Sequence, residues 1–266
     1  MTAIGFNAKV ILGIETRERA TMIDINCDLG EGTSKDSFEH DKKLMQYVKS
    51  INLACGFHAG DYKMMGKIID YALSQGIQVG AHPGYDDKEN FGRMAIEMTK
   101  SELEDLLTYQ IGAIRTMVEV RGGRLHHVKL HGALYNQCAK DPVKAKLVGD
   151  LILRIDPDLL VYGPYGSIFN QVLRDMGLRV YDECFADRRY DGYNLAPRKD
   201  QGVIRQVNGV LSHVKQIVVA KAIQDKQGQI LPVECQTLCV HGDHEESLQV
   251  LKVISNFLEA YESSSH

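Results

Sequence analysis

The chain has 266 residues, 44% of them hydrophobic and 25% charged, with a formal net charge of −4. These values describe a soluble globular protein and exclude a disordered or collagen-like one. No apolar run approaches the roughly 18 residues that span a bilayer, and no basic block offers a footprint for nucleic acid or anionic lipid. The six cysteines stand at irregular spacings without a CxxC pair, which reads as reduced thiols in a cytoplasmic protein.

Residues 1–21 carry one short apolar run, Val10–Ile14, followed by the charged stretch Glu15–Arg19. They lack the order of a signal peptide and read as an extension outside the core, whose removal should leave folding intact. From Met22 to about residue 260, short β-rich runs alternate with amphipathic stretches in what reads as one domain, with 261–266 as a tail. The expected strands are Met22–Asn26, Ile51–Cys55, Ile77–His82, Val128–His131, Leu159–Gly163, Leu178–Cys184 and Thr237–His241. They are mostly apolar on both sides, as strands buried on two faces are.

Helix signals fall between them. Residues 61–75 place Met64, Met65, Ile68, Ile69, Ala72 and Leu73 on one face and stop at Gly76. Thr99 and Glu102 have capping-box spacing at the start of 99–121, and Asp243 and Glu246 repeat it before Leu248. Asp141–Pro142 supplies an N-cap followed by proline at the first helical position. Repeated βα units imply a parallel sheet, either open and doubly wound or closed into a barrel.

Polar residues collect at the carboxyl ends of the expected strands, where parallel βα folds place their sites. They are Asn26, Asp28 and Glu31; His58 and Asp61; His82 and Asp86, then Arg93; Lys129, His131 and Asn136; Glu183, Asp187, Arg188 and Arg189; and His241 with Asp243. That distribution favours an enzyme. Asp61 and Asp243 could equally serve as N-caps. A lysine at a buried strand end is costly unless paired or functional, so Lys129 and His131 are read as lining a site. Cys55, Cys235 and Cys239 read as core thiols, and Gly30–Lys35 lacks the spacing of a phosphate loop.

The runs Asp24–Glu31, Asn52–Asp61, Gly80–Asp86, Phe91–Arg93, His127–Asn136, Phe185–Arg188 and Cys239–Asp243 resemble the LamB/YcsF family in order across about residues 22–258. Leu130 stands where that pattern carries proline. The resemblance implies a seven-stranded (β/α) TIM-like barrel of the glycoside hydrolase/deacetylase type. It also implies the place of the A subunit in a bacterial ATP-dependent 5-oxoprolinase, which opens the lactam of 5-oxoproline to L-glutamate. ATP would be a co-substrate bound largely with two partner subunits similar to those of allophanate-hydrolase systems, since no nucleotide loop is recognisable here.

For that chemistry Asp28, His58 and His82 are candidates for general base, or for ligands of a divalent metal. Lys129 and His131 would stabilise developing negative charge, and Arg93 or Arg188 would clamp the substrate carboxylate. Asn26, Asp61, Asp86, Asn136 and His241 complete the expected substrate contacts. Replacing Asp28 or Lys129 with alanine should then cut turnover about 10²-fold with little loss of stability. The rival readings are a stand-alone metal-dependent hydrolase or deacetylase with an Asp28/His58/His82 site, and a non-catalytic binding subunit.

Overall fold

The structure, a computed structural model, describes residues 23–264 except 200 and 245. The expected extension 1–21 lies outside the described residues. In chain order the elements are β1 (Asp24–Leu29), α1 (Lys35–Met45), β2 (Ser50–Ala54), α2 (Tyr62–Ser74), β3 (Gln78–His82), α3 (Lys100–Glu119), β4 (His127–Lys129), α4 (Gly132–Cys138), α5 (Pro142–Ile155), β5 (Leu160–Pro164), α6 (Ile168–Asp175) and β6 (Val180–Phe185). Then come β7 (Tyr190–Asp191), β8 (Asn194–Leu195), α7 (Val207–Val218), β9 (Ala222–Gln224), β10 (Ile230–Pro232), β11 (Thr237–His241) and α8 (Ser247–Ser264). Seven strands close into a parallel barrel in the order β1-β11-β6-β5-β4-β3-β2. Of the two sheet arrangements the sequence allows, the closed one forms.

Local chemistry sets the helix starts. Thr99 and Glu102 form the expected capping box of α3, and Asp141 caps α5 ahead of Pro142. Ser34 and Ser167 accept from the backbone N–H groups of Ser37 and Asn170 to start α1 and α6. The box expected at Asp243 does not form; α8 begins at Ser247 and runs through 261–264, where a tail was expected. Outward-facing Ile25, Cys27, Leu29, Ile51, Leu53, Val79, Val128, Val161, Leu238 and Val240 belong to the hydrophobic core shared with the helices.

The barrel interior is polar, which corrects the expectation of strands apolar on both faces. Asp24 Oδ2 accepts from Ser50, Thr237 and Tyr162 hydroxyls at 2.6, 2.8 and 3.0 Å. One layer higher, Asn26 Nδ2 donates to Glu183 and Thr237, and Asn52 Nδ2 donates to Asn26 Oδ1 at 2.7 Å. His127 Nε2 sits 2.7 Å from Asn52 Oδ1 with its ring stacked on Tyr162 at 3.9 Å. A Cβ at Gly80 would collide with the His127 ring, so only glycine leaves room for that side chain. Each of these buried polar groups finds partners on other strands, which offsets the cost of taking it out of water.

Asp41 on α1 is buried and accepts from the Gly30 N–H at 3.0 Å, joining α1 to the loop that leaves β1. Burial pushes its carboxyl up to about 6. The folded value lies above the unfolded one, so the ionised form penalises the fold fully above pH 6, and the penalty fades as pH falls toward 4. Asp41→Asn keeps an acceptor for Gly30 and removes the charge. It is expected to raise the urea unfolding free energy at pH 8 by about 2–3 kcal/mol, with the gain shrinking toward pH 4. An equal effect at both pH values would contradict this account.

Candidate active site

The carboxyl ends of the barrel strands open into a cleft of about 780 Å³. Asp28, His82, Lys129, His131, His241 and Arg93 line it, with Glu31, Asn136 and Arg188. At its floor the Lys129 ammonium, 2% exposed, lies 2.9 Å from both Asp28 Oδ1 and Glu183 Oε1. Asn26 Oδ1 at 3.3 Å and Cys239 Sγ at 3.0 Å complete its surroundings. Burial disfavours the ammonium, but the two carboxylates prevail and hold its pKa well above the ordinary lysine value. Burial likewise opposes the Asp28 carboxylate, and above all Lys129 overcomes it, leaving Asp28 well below the carboxylate range. Lys129 is therefore a fixed cation between two anions. The expectation that Lys129→Ala leaves stability almost unchanged does not survive this geometry.

Two histidines have their tautomers set by carbonyl groups. His82 Nδ1 donates to Lys129 O at 2.8 Å, and His131 Nε2 donates to Phe91 O at 2.8 Å. Phe91 holds a left-handed φ of 58°, an unfavourable conformation for a non-glycine residue that aims its carbonyl at His131. His131 was expected on a strand. It instead follows β4 as the N-cap of α4, because its N–H bonds to Pro83 O and Gly132 turns the chain at φ 57°. His241, at the end of β11, has Nδ1 against Asp187 at 2.9 Å and turns Nε2 toward Asp28 Oδ2, 3.9 Å away. Burial opposes ionisation of Asp187, but His241 and His244 hold it well below the carboxylate range.

The other expected residues divide. Arg93 stands at the rim, 3.4 Å from Asp243 and over the Phe91 ring. Asp243, for which capping and a place at the site were both open, is an ion-pair partner of Arg93 and Arg198. Arg188 is buried, and its Nε and Nη2 donate to Gly202 and Ala196 carbonyls at 3.0 and 2.7 Å. Burial and then Arg198 bring its pKa down to about 10. Asn26 lies a layer below the cleft within the barrel network. Asp61 caps α2 by accepting from Met64 N and does not line the cleft. Asp86 is exposed and also outside the lining. His58 sits behind His131, stacked on its ring at 3.7 Å.

The residues able to hold a metal differ from the expected Asp28/His58/His82 set. Glu31, His58, His82 and His131 present ligand atoms within 4.8 Å of one another, while Asp28 groups with Cys239 and His241.

The LamB/YcsF family model matches residues 23–265. The chain belongs to the LamB/YcsF family. Relatives in this family include the A subunit of 5-oxoprolinase from Bordetella pertussis strain Tohama I, 39% identical over 89% of this chain and 95% of that one. The corresponding 5-oxoprolinase A subunit of Bacillus cereus strain Q1 is 38% identical over 92% and 98%. The crystal structure of the lactam utilization protein of Thermus thermophilus superposes with a TM-score of 0.83 at 32% identity, over 90% of this chain and 96% of that one. Among the described residues no helix is long and apolar enough to cross a membrane.

Within this LamB/YcsF barrel, several residues do more at the site than sequence reasoning assigns them. Glu183, from sequence simply a strand-end carboxylate, accepts from Lys129, Asn26 and, at 2.6 Å, the Tyr135 hydroxyl. Its signal is period-two placement on a strand, in a chain that must pair a buried lysine. Glu31 has no role assigned by its position alone; burial and then the Asp28 charge push its carboxyl up to about 7. Cys239, expected as a core thiol, also touches the Lys129 ammonium.

Proposed function

We propose that this chain is the A subunit of a cytoplasmic, ATP-dependent 5-oxoprolinase, opening the lactam of 5-oxoproline to L-glutamate with two allophanate-hydrolase-like partner subunits. One observation carries the reading. Oriented histidines, a carboxylate–ammonium pair and guanidinium groups converge on one cleft, in a chain whose relatives are named as 5-oxoprolinase A subunits over nearly their full length.

An unstrained amide is a poor electrophile, so activation of its oxygen by ATP on the partner subunits precedes water attack. His241 is the base. Asp187 fixes its Nδ1 proton and leaves Nε2 facing the cleft, the arrangement that orients a catalytic imidazole. In that activation the γ-phosphoryl group passes to the amide oxygen and ADP leaves. The water oxygen then joins the carbonyl carbon, its proton passes to Nε2, and the ring C–N bond breaks with the leaving nitrogen taking that proton. A second water releases phosphate from the resulting acyl phosphate to give the glutamate carboxylate. The ionised Asp28 beside His82 and His241 favours the imidazolium that forms. Arg188, with Arg93 at the rim, holds the substrate carboxylate. His131 borders the developing charge.

The test is glutamate release from 5-oxoproline with ATP, measured with and without the partner subunits. Turnover is expected only with all subunits present. Full-rate turnover by this chain alone would sink the partner requirement and favour a stand-alone hydrolase. Unchanged turnover in His241→Ala would favour a binding subunit.

A further inference from the structure

Beside the cleft floor, three histidines are left with unmatched hydrogen-bonding groups. The Lys129 and Phe91 carbonyl oxygens can only accept, so His82 carries its proton on Nδ1 and His131 on Nε2. That leaves His82 Nε2 and His131 Nδ1 as lone pairs, and they face each other at 3.0 Å. A third lone pair, on Asp28 Oδ2, lies 3.4 Å from the same His82 nitrogen. Next to them His58 is 1% exposed, and among the described residues neither of its ring nitrogens has a hydrogen-bond partner. Its Nε2 stands 3.7 Å from Glu31 Oε1. Buried polar atoms are seldom left unpaired, and lone pairs turned on one another repel.

The backbone makes room for this cluster. A Cβ at Gly92, which has φ 63°, would come within 2.8 Å of His58 Cβ and 2.9 Å of His131 Cδ2. The carbonyl groups that hold the far nitrogens of His82 and His131 are the outer contacts that orient metal-binding imidazoles.

We propose that His58, His82 and His131, with the Glu31 carboxylate facing them, hold one divalent transition-metal ion of the zinc class. The donor chemistry selects the metal. Imidazole nitrogens with one carboxylate suit Zn²⁺ and its neighbours, whereas Mg²⁺ and Ca²⁺ require oxygen donors. The Asp28 carboxylate is outside the donor set: Lys129 and Asn52 occupy its Oδ1, and it groups with Cys239 and His241 instead of with Glu31 and His58. One cation among the facing lone pairs removes the repulsion and gives the orphaned His58 ring a partner. Parallel rings cannot aim their lone pairs at one centre, so the His58 ring turns out of its stack on His131 when the ion binds. The site holds whatever the substrate of the cleft is.

The experiment strips the full chain with a chelator, re-equilibrates it with Zn²⁺, desalts it and measures bound metal. About one Zn²⁺ per chain is expected, undisturbed by excess Mg²⁺, and Co²⁺ in its place should give the visible absorption of a nitrogen-bound ion. His82→Ala and His58→Gln should each weaken Zn²⁺ binding by about 10²-fold or more. The His58 ring makes no hydrogen bond, so its replacement keeps the test usable if His82→Ala fails to fold. Asp28→Asn should retain the full equivalent. No retained metal in the wild-type chain would overturn the proposal and leave a proton shared by His82 and His131. Full retention in both histidine variants, or loss in Asp28→Asn, would overturn the donor set.

Discussion

Replacing Lys129 with alanine is expected to lower the unfolding free energy at pH 7 by about 3–5 kcal/mol, the usual cost of removing one partner from a buried ion pair. Turnover of the lactam with the partner subunits should fall about 10²-fold or more in the same variant. The stability loss follows from what remains behind. Asp28 and Glu183 are almost wholly buried, and both lie 2.9 Å from the ammonium nitrogen. Without it, two carboxylates face each other in the barrel, with Asn26, Asn52 and Tyr135 as their remaining donors. The triple variant Lys129→Ala, Asp28→Asn, Glu183→Gln separates the two effects. It should recover most of the lost stability, since no uncompensated charge is left, and recover none of the turnover. A single Lys129→Ala protein with the wild-type urea midpoint would refute the assignment of Lys129 as the fixed cation of the floor.

The sequence made the barrel's seven strands visible because each is bounded by helix caps and glycines. It also placed Asp28, His82, Lys129, His131, Arg93, Arg188 and His241 at strand ends, and these do share one cleft. What it hid has physical reasons. Asp24-Ile-Asn-Cys-Asp-Leu already alternates polar and apolar, but short strands rich in apolar residues read as buried on both faces. Only closure shows that the polar set points inward, where Ser50, Asn52, His127 and Thr237 meet it. Between β6 and β11 the chain forms two small ribbons, whose two- and three-residue strands are too short to give a period, and α7, where Val207, Val210, Val214 and Val218 do keep a helical spacing. Asp61 and Asp243 carried the same local signal, an aspartate before an apolar run. One caps a helix and the other pairs with two arginines, a difference decided by long-range contacts.

The same ion-pair floor makes the opposite substitution informative. Asp28→Asn removes one of two anions from a cation that retains the other, so Lys129 keeps its 2.9 Å contact with Glu183. The amide can also satisfy its new surroundings. Its oxygen can accept from Lys129 Nζ and Asn52 Nδ2, as Asp28 Oδ1 does at 2.9 and 2.8 Å. Its nitrogen would then face the His82 Nε2 lone pair, where Asp28 Oδ2 stands at 3.4 Å. Stability should therefore change by about 1 kcal/mol or less, the scale of exchanging satisfied hydrogen bonds. Turnover should nevertheless fall about 10²-fold or more, because the neutral amide cannot favour an imidazolium at His241. Lys129→Ala and Asp28→Asn would thus look alike in an activity assay and unlike in a urea melt. If Asp28→Asn destabilises as strongly as Lys129→Ala, Glu183 does not share the ammonium. The floor would then be a simple pair in place of a cation held between two carboxylates.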